Sequence, residues 1–273
     1  MTYRELIAVN EKKALLLQKE KSAVLMLIRE LANFSISELY LNYDFEVSNS
    51  QFIQTKVDEY LEHDIAPQYV LGYTYFYGNR IAVDNDVLIP RADTEILVGE
   101  ILNLISAEAA LKIVDVGTGS GCIAIAIKKQ RPNSTVLGLD ISKKAIDIAK
   151  KNATINDVDI LFKQNDLLTG INDKFDILIS NPPYIDKFDD VDEIVVKNEP
   201  SLSLFAEEKG LYFFRKILEE SVAVMKNKFI IAFEIGYHQA AEVVALADKV
   251  YPRAKKRVVK DYNSNDRVVI INN

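Results

Sequence analysis

Lys112-Ile113-Val114-Asp115-Val116 runs into Gly117-Thr118-Gly119-Ser120-Gly121 and then into the apolar stretch Cys122 to Lys129. The first segment reads as a short buried strand, the last as a helix, and the glycines between them as a tight turn. Strand, glycine turn, helix is the opening unit of an α/β sheet that brings backbone close to a ligand. The glycines fall as G-x-G-x-G, with Cys122 where a dinucleotide fingerprint would carry its third glycine, and Asp115 precedes the loop. From residue 112 onward strands and helices alternate, the pattern of a mostly parallel sheet.

Working outward, the strand Ser134 to Leu139 ends in Asp140, and a helix Ser142 to Ala149 follows. A third strand, Ile160 to Gln164, leads to Asn165, Asp166 and Leu167, and a fourth, Phe175 to Ser180, leads to Asn181-Pro182-Pro183-Tyr184. The glycine loop, Asp140, Asp166 and Asn181 therefore collect at the carboxyl ends of four successive strands, the edge where open α/β sheets bind ligands. An acid at the tip of the second strand suits ribose hydroxyls. Asp166 suits an adenine amino group, and Leu167 could cover the ring. The loop spacing and Asp115 fit an S-adenosylmethionine loop better than a pyrophosphate cradle. Taken singly, Asp140 also reads as a helix-starting acid and Asp166 as a plain turn acid.

The tetrapeptide at 181–184 carries the chemistry. Pro182 and Pro183 lack N–H groups and fix φ. Each also holds the residue before it extended. A carbonyl in such a turn has no ladder donor to meet, and the Asn181 side chain adds a second acceptor. Two fixed acceptors, Asn181 Oδ1 and the Pro182 carbonyl, can aim a planar –NH2 group, with the Tyr184 ring packed on its flat face. Asn is the neutral choice and does not separate a carboxamide from a nucleobase amino group.

The chain resembles the HemK-type peptide chain release factor N5-glutamine methyltransferases over nearly its whole length. The likeness lies in Pro67-Gln68-Tyr69 with Gly72, Phe76 and Gly78, in Leu88-Ile89-Pro90-Arg91 with Thr94-Glu95, and in Asp115 to Gly121. It continues in Ser180 to Ile185, Glu199-Pro200, Glu234-Ile235-Gly236 with Gln239, and Asp266-Arg267-Val268. The departures are Ala92 for a usual proline, Leu167 for a common aromatic, Ser264 for a usual glycine, and a loosely kept Glu207 to Leu211. The resemblance implies a Rossmann-like class I methyltransferase fold with a mostly parallel seven-stranded sheet, preceded by a small helical bundle and a β-hairpin linker. It implies methyl transfer from S-adenosylmethionine, leaving S-adenosylhomocysteine, to a glutamine in the Gly-Gly-Gln loop of release factors. Asp115, Gly117, Thr118, Gly119, Ser120, Gly121, Asp140, Asp166, Leu167 and Asn181 would then meet the cofactor. Asn181, Pro182, Pro183, Tyr184 and Arg91 would meet the substrate, with Asn181, Pro182 and Tyr184 catalytic.

Residues 1–72 are expected to form the helical substrate-docking domain, 73–90 the hairpin linker and 91–273 the methyltransferase domain. Capping-box spacings recur at Thr2/Glu5, Ser35/Glu38 and Ser48/Gln51. Leu25, Ile28, Leu31 and Ala32 mark one helical face, and Phe52, Ile53, Val57, Tyr60 and Leu61 another. Ile81 to Val83 and Val87 to Ile89 flank Asp84-Asn85-Asp86 like the arms of a hairpin. A helix is expected over 94–105, and an antiparallel pair is expected to close the sheet near 256–260 and 267–271.

Composition bounds the alternatives. The 273 residues are 49% hydrophobic and carry a net charge of −7, whereas a protein built to hold duplex DNA is more often basic. Stable DNA binding is not expected. Arg253 to Lys260 is locally basic, fitting either a surface turn or an RNA contact. The single cysteine, Cys122, allows no internal disulfide and fits a reducing cytoplasm. The two histidines stand apart with no ligand partners, so no metal is expected. No apolar run of membrane-spanning length and no signal-like segment occur, and a monomer is expected.

Overall fold

The computed structural model describes residues 1–189 and 193–273. Two compact units divide it, one formed by Met1–Tyr73 with a later helix, the other by the rest of the chain.

The first unit is helical: α1 (Tyr3–Leu16), α2 (Lys21–Leu31), α3 (Ile36–Leu41), α4 (Ser50–His63) and α5 (Pro67–Leu71). Its core holds Leu6, Val24, Leu27, Ile28, Leu39, Ile53, Val57 and Leu61. Two capping boxes form. Glu5 N donates to Thr2 Oγ1 at 3.3 Å and Glu38 N to Ser35 Oγ at 3.2 Å, and each glutamate closes the box in return. The third does not form. α4 begins at Ser50 with Asn49 as its cap, so Ser48 falls one position too early. Phe52 points outward, 54% exposed, while Ile53, Val57, Tyr60 and Leu61 are buried. On α2 the buried stripe is Val24, Leu27 and Ile28, and Leu25, Leu31 and Ala32 only flank it.

The hairpin lies earlier than the alternation at 81–89 suggests. β1 (Tyr73–Phe76) and β2 (Asn79–Ala82) are joined by Tyr77 and Gly78, at φ 48° and 75°. Two successive positive φ values make the tight connection whose twist suits a hairpin. Ile81, Val83, Val87 and Ile89 are all buried. Their alternation records burial, not a ladder. Asp84 caps its own turn, its Oδ1 accepting from Asp86 N at 2.9 Å.

The remaining elements are α6 (Ala92–Leu104), β3 (Lys112–Val116), α7 (Cys122–Gln130), β4 (Thr135–Asp140), α8 (Lys143–Ile155), β5 (Leu161–Gln164) and β6 (Phe175–Ser180). They continue with β7 (Ile185–Asp186), α9 (Glu193–Asn198), β8 (Phe205–Ala206), α10 (Tyr212–Val224), β9 (Met225–Glu234), α11 (Ala240–Val250), β10 (Lys255–Lys260) and β11 (Asp266–Asn272). Of these, α9 belongs to the first unit, where Lys197 Nζ pairs with Asp64 at 2.8 Å.

Seven strands form one sheet in the order β10-β11-β9-β6-β3-β4-β5, parallel from β9 to β5 and antiparallel through β11 and β10. Chain order runs one way from β3 through β4 to β5 and the other way from β6. The switch point therefore lies between β3 and β6, where such sheets open a ligand crevice. Both faces of the inner strands are covered, which is why their sequences are near-continuous Val, Ile and Leu. The basic stretch near 253–260 is the edge strand β10. Arg257 pairs with Glu100 at 2.5 Å, Lys256 with Asp248 at 2.5 Å and Lys260 with Asp266 at 2.6 Å. Charged edges of this kind resist pairing with another chain.

Candidate active site at the strand tips

Hydrogen bonds stitch the carboxyl ends of β6, β3, β4 and β5 together. Gly117 N and Thr118 N both donate to Leu139 O at 2.8 Å, drawing the loop after β3 over the end of β4. Asn165 N donates to Asp140 O at 2.8 Å, tying β5 to β4, and Ser180 Oγ donates to Val116 O at 2.6 Å, tying β6 to β3. The predicted residues from four strand tips thus share one edge.

Gly117, Gly119 and Gly121 all have positive φ, at 73°, 54° and 79°. At Gly117 and Gly119 an added Cβ would meet nothing within 4 Å, so the loop presents bare backbone to open space. At Gly121 a Cβ would lie 3.0 Å from Ala149 Cβ, so this glycine serves the close packing of α7 and α8. Gly119 N donates to Asp140 Oδ2 at 2.8 Å, and Ser142 N to Asp140 Oδ1 at 2.8 Å. Each Asp140 oxygen keeps a lone pair beyond the bond it accepts. Burial raises the Asp140 pKa, opposed by those backbone donors.

Asp115 sits beneath the loop, 1% exposed, its Oδ2 accepting from Thr118 Oγ1 at 2.6 Å. Burial pushes its pKa up to about 7, against the Thr118 hydrogen bond. Ser120 is buried, and its carbonyl accepts from Asn152 Nδ2 at 2.9 Å. Cys122 is buried with its thiol pushed up to about 12, a packing residue with little thiolate. Asp166 is exposed beside the tip of β5, and Leu167 follows at φ 45°, half-buried against the core.

At the end of β6, Pro182 is buried and Asn181, Pro183 and Tyr184 are half-buried. Asn181 Nδ2 donates to Thr94 Oγ1 at 3.2 Å. No donor among the described residues meets Asn181 Oδ1 or the Pro182 carbonyl. The turn is braced from behind. Gln239 Nε2 donates to Tyr184 O at 2.9 Å, and Gly236 N donates to Gln239 Oε1 at 3.0 Å. A Cβ on Gly210 would stand 2.1 Å from Tyr184 O, so only glycine fits there. Tyr184 Oη donates to Glu234 Oε1 at 3.4 Å, and burial raises the tyrosine pKa. Glu234 itself is pushed up to about 7 by burial, against the Thr94 hydroxyl and the Arg267 charge.

Arg91 precedes α6, and its carbonyl accepts from Thr94 N at 3.1 Å. Its guanidinium pairs with the buried Glu199 carboxylate, whose other oxygen has no partner among the described residues. Asn152, fully buried, joins β2, α8 and the glycine loop through Ala82 and Ser120, and nothing in its local sequence marks it. Thr94, Glu234 and Gln239 belong to matching segments of the resemblance, yet the sequence gives them no role.

A relative from Streptococcus pneumoniae named release factor glutamine methyltransferase is 38% identical over 93% of this chain and 92% of its own length. The chain belongs to the release factor glutamine methyltransferase family. A relative of the same name from Bacillus subtilis is 35% identical over 92% of this chain and 91% of its own. A family model described as methyltransferase small domain matches residues 93–198. Among solved structures, a methyltransferase from Pyrococcus furiosus aligns with a TM-score of 0.53 at 15% identity, covering 72% of this chain and 90% of that one. A 16S rRNA methyltransferase from Thermus thermophilus in complex with AdoMet and guanosine aligns with a TM-score of 0.51 at 11% identity, covering 73% of this chain and 49% of that one. Both share the α/β fold of class I methyltransferases. Among the described residues no helix is long and apolar enough to cross a membrane.

Proposed function

We propose that this chain transfers a methyl group from S-adenosylmethionine to the side-chain amide nitrogen of a glutamine in a peptide chain release factor, at its Gly-Gly-Gln loop. The observation that carries the reading is the pair of open acceptors, Asn181 Oδ1 and the Pro182 carbonyl, at the switch point of the sheet. The residues fit the cofactor: bare glycine backbone at Gly117 and Gly119, with Asp140 and Asp166 at the neighbouring tips. Bound there, S-adenosylmethionine supplies a methyl group activated on a sulfonium. Asp140 would accept from its ribose hydroxyls and Asp166 from its adenine amino group, with Leu167 against the ring.

The difficulty lies with the nucleophile, because amide resonance ties up the nitrogen lone pair. Asn181 Oδ1 and the Pro182 carbonyl would each accept a hydrogen bond from one amide N–H, aim the nitrogen and stabilise the positive charge that grows on it; as the N–CH3 bond forms the S–CH3 bond breaks, S-adenosylhomocysteine leaves, and the methylated nitrogen gives one proton to water. Pro183 keeps the turn rigid, and the Tyr184 ring packs on the flat amide. Removing one such preorganised group typically costs about 3–4 kcal/mol. Fixed orientation contributes much of the remainder. The helical unit formed by residues 1–72 is the proposed docking domain for the release factor. The protein would work as a monomer in the cytoplasm, without stable DNA binding.

Incubation with labelled S-adenosylmethionine and a release factor, followed by mass mapping, tests the assignment. Methyl incorporation on the glutamine of the Gly-Gly-Gln loop is expected. Labelling of DNA or RNA in its place would move the activity to nucleobase amino groups.

A further inference from the structure

The proline turn offers its two open acceptors only while its backbone keeps one shape. Pro182 and Pro183 fix φ at two positions. Rotation becomes free again at Tyr184, where the turn passes into β7. The peptide between Tyr184 and Ile185 therefore sets how the chain leaves the site.

That peptide is held on both sides. Ile185 N donates to Leu204 O at 3.1 Å, just before β8. Gln239 Nε2 donates to Tyr184 O at 2.9 Å from the connection between β9 and α11. β7 and β8 pair over only two residues each, so few ladder bonds share the load. Gln239 is itself aimed. Gly236 N donates to Gln239 Oε1 at 3.0 Å, and Gln239 N donates to Gly236 O at 2.9 Å. The two ends of a carboxamide have nearly the same shape, and hydrogen bonds decide which way each faces. Turned over, Gln239 would set its –NH2 against the Gly236 N–H and its oxygen against Tyr184 O. Only the observed direction satisfies both neighbours.

Two glycines make room for this contact. At Gly210, φ 81°, a Cβ would stand 2.1 Å from Tyr184 O and 2.5 Å from Gln239 Nε2, on the bond itself. At Gly236 a Cβ would stand 2.9 Å from Gln239 Oε1 and 3.4 Å from Tyr184 Cδ2, so the Tyr184 ring lies against the same connection. The carbonyl and the ring of Tyr184 thus both rest on the segment that carries Gln239.

We propose that Gln239 is a positioning residue for methyl transfer: by holding the Tyr184 carbonyl it locks the exit of the proline turn and leaves Asn181 Oδ1 and the Pro182 carbonyl as the acceptors that meet the substrate amide. The inference rests on the methyl-transfer reading for its consequence, though the brace itself can be read without turnover. Gln239 does not touch the reacting atoms and acts through Tyr184.

Wild type, Gln239→Glu and Gln239→Met test it. Glutamate keeps the length and the acceptor for Gly236 N, and replaces the donor to Tyr184 O with an oxygen. Methionine keeps the length and removes both hydrogen bonds without adding charge. With a release factor as substrate, each variant is expected to lower kcat by about 10- to 100-fold, the scale of a small misplacement in a preorganised site. KM for the release factor and the dissociation constant for S-adenosylmethionine should stay within about threefold of wild type. NMR gives the second readout. The Ile185 amide and the Asn181 side-chain –NH2 should shift or broaden in both variants. Should Gln239→Glu not fold, Gln239→Met decides by the same readouts.

Full kcat in Gln239→Met overturns the proposal, because any loss in Gln239→Glu would then belong to the introduced charge. Equal losses of kcat and of cofactor affinity overturn it as well, because they mark general packing. So does a fall in kcat with the Ile185 and Asn181 resonances unmoved, because the loss would not run through the turn. If wild type transfers no methyl to a release factor, the functional reading fails, and those resonances still decide whether Gln239 holds the turn.

Discussion

The glycine loop after β3 and the proline turn after β6 lie at neighbouring strand tips, yet they treat their polar groups in opposite ways. In the glycine loop, successive amides are occupied: Gly117 and Thr118 on Leu139 O, and Gly119 on Asp140. The loop holds its own shape and offers bare backbone. In the proline turn two residues have no N–H at all, and the side chain that could have closed on Asn181 Oδ1 accepts from Nδ2 instead. There the acceptors stay open. One region is finished without its ligand, and the other completes its hydrogen bonding only with one. A loop whose task is binding can satisfy itself, whereas a group meant to stabilise a charge in the transition state has to wait for it.

Substitutions can break this contrast on either side. On the turn, Asn181→Ala should lower kcat by about 100- to 1,000-fold while affinity for S-adenosylmethionine changes far less. Rate measurements beside calorimetric binding check this split. Equal collapse of both would make Asn181 a cofactor contact. On the loop, Asp140→Ala removes the acceptor for Gly119 and Ser142 as well as the proposed ribose contact. Cofactor affinity should fall by about 10- to 100-fold, the scale of lost hydrogen bonds to a charged group. At saturating cofactor, kcat should hold within a few-fold.

A smaller effect sharpens the comparison. Each region rests on a buried carboxylate pushed up to about 7, Asp115 under the loop and Glu234 behind the turn. Each holds its proton in the folded state at pH values where the unfolded chain has lost it. Their contribution to stability is therefore complete below about pH 4 and is lost as pH rises through about 7. Urea unfolding midpoints between pH 5 and 8 should fall with rising pH, and Asp115→Asn or Glu234→Gln should each flatten that slope. A slope unchanged in both variants would mean that neither carboxyl carries a raised pKa.

Much of the sheet is legible in the chain because its inner strands are buried on both sides. Runs such as Ile113 to Val116 and Ile177 to Ile179 leave little else to read, and the turn residues at their ends stand out by type. The hairpin is misread because Ile81, Val83, Val87 and Ile89 alternate as strand residues do. The actual turn, Tyr77-Gly78, is announced only by one glycine. Ser264 takes φ 67°, which gives the usual glycine at that position its physical reason. The least legible part is the support behind Asn181. Thr94 meets its Nδ2 from α6, and only folding brings that hydroxyl to the end of β6.

A crystal structure of the protein with S-adenosylhomocysteine and a Gly-Gly-Gln peptide tests the central claim most directly. The glutamine amide nitrogen should lie about 2.9 Å from both Asn181 Oδ1 and the Pro182 carbonyl. A glutamine bound elsewhere, or an Asn181 that presents its –NH2 to the peptide, would contradict it.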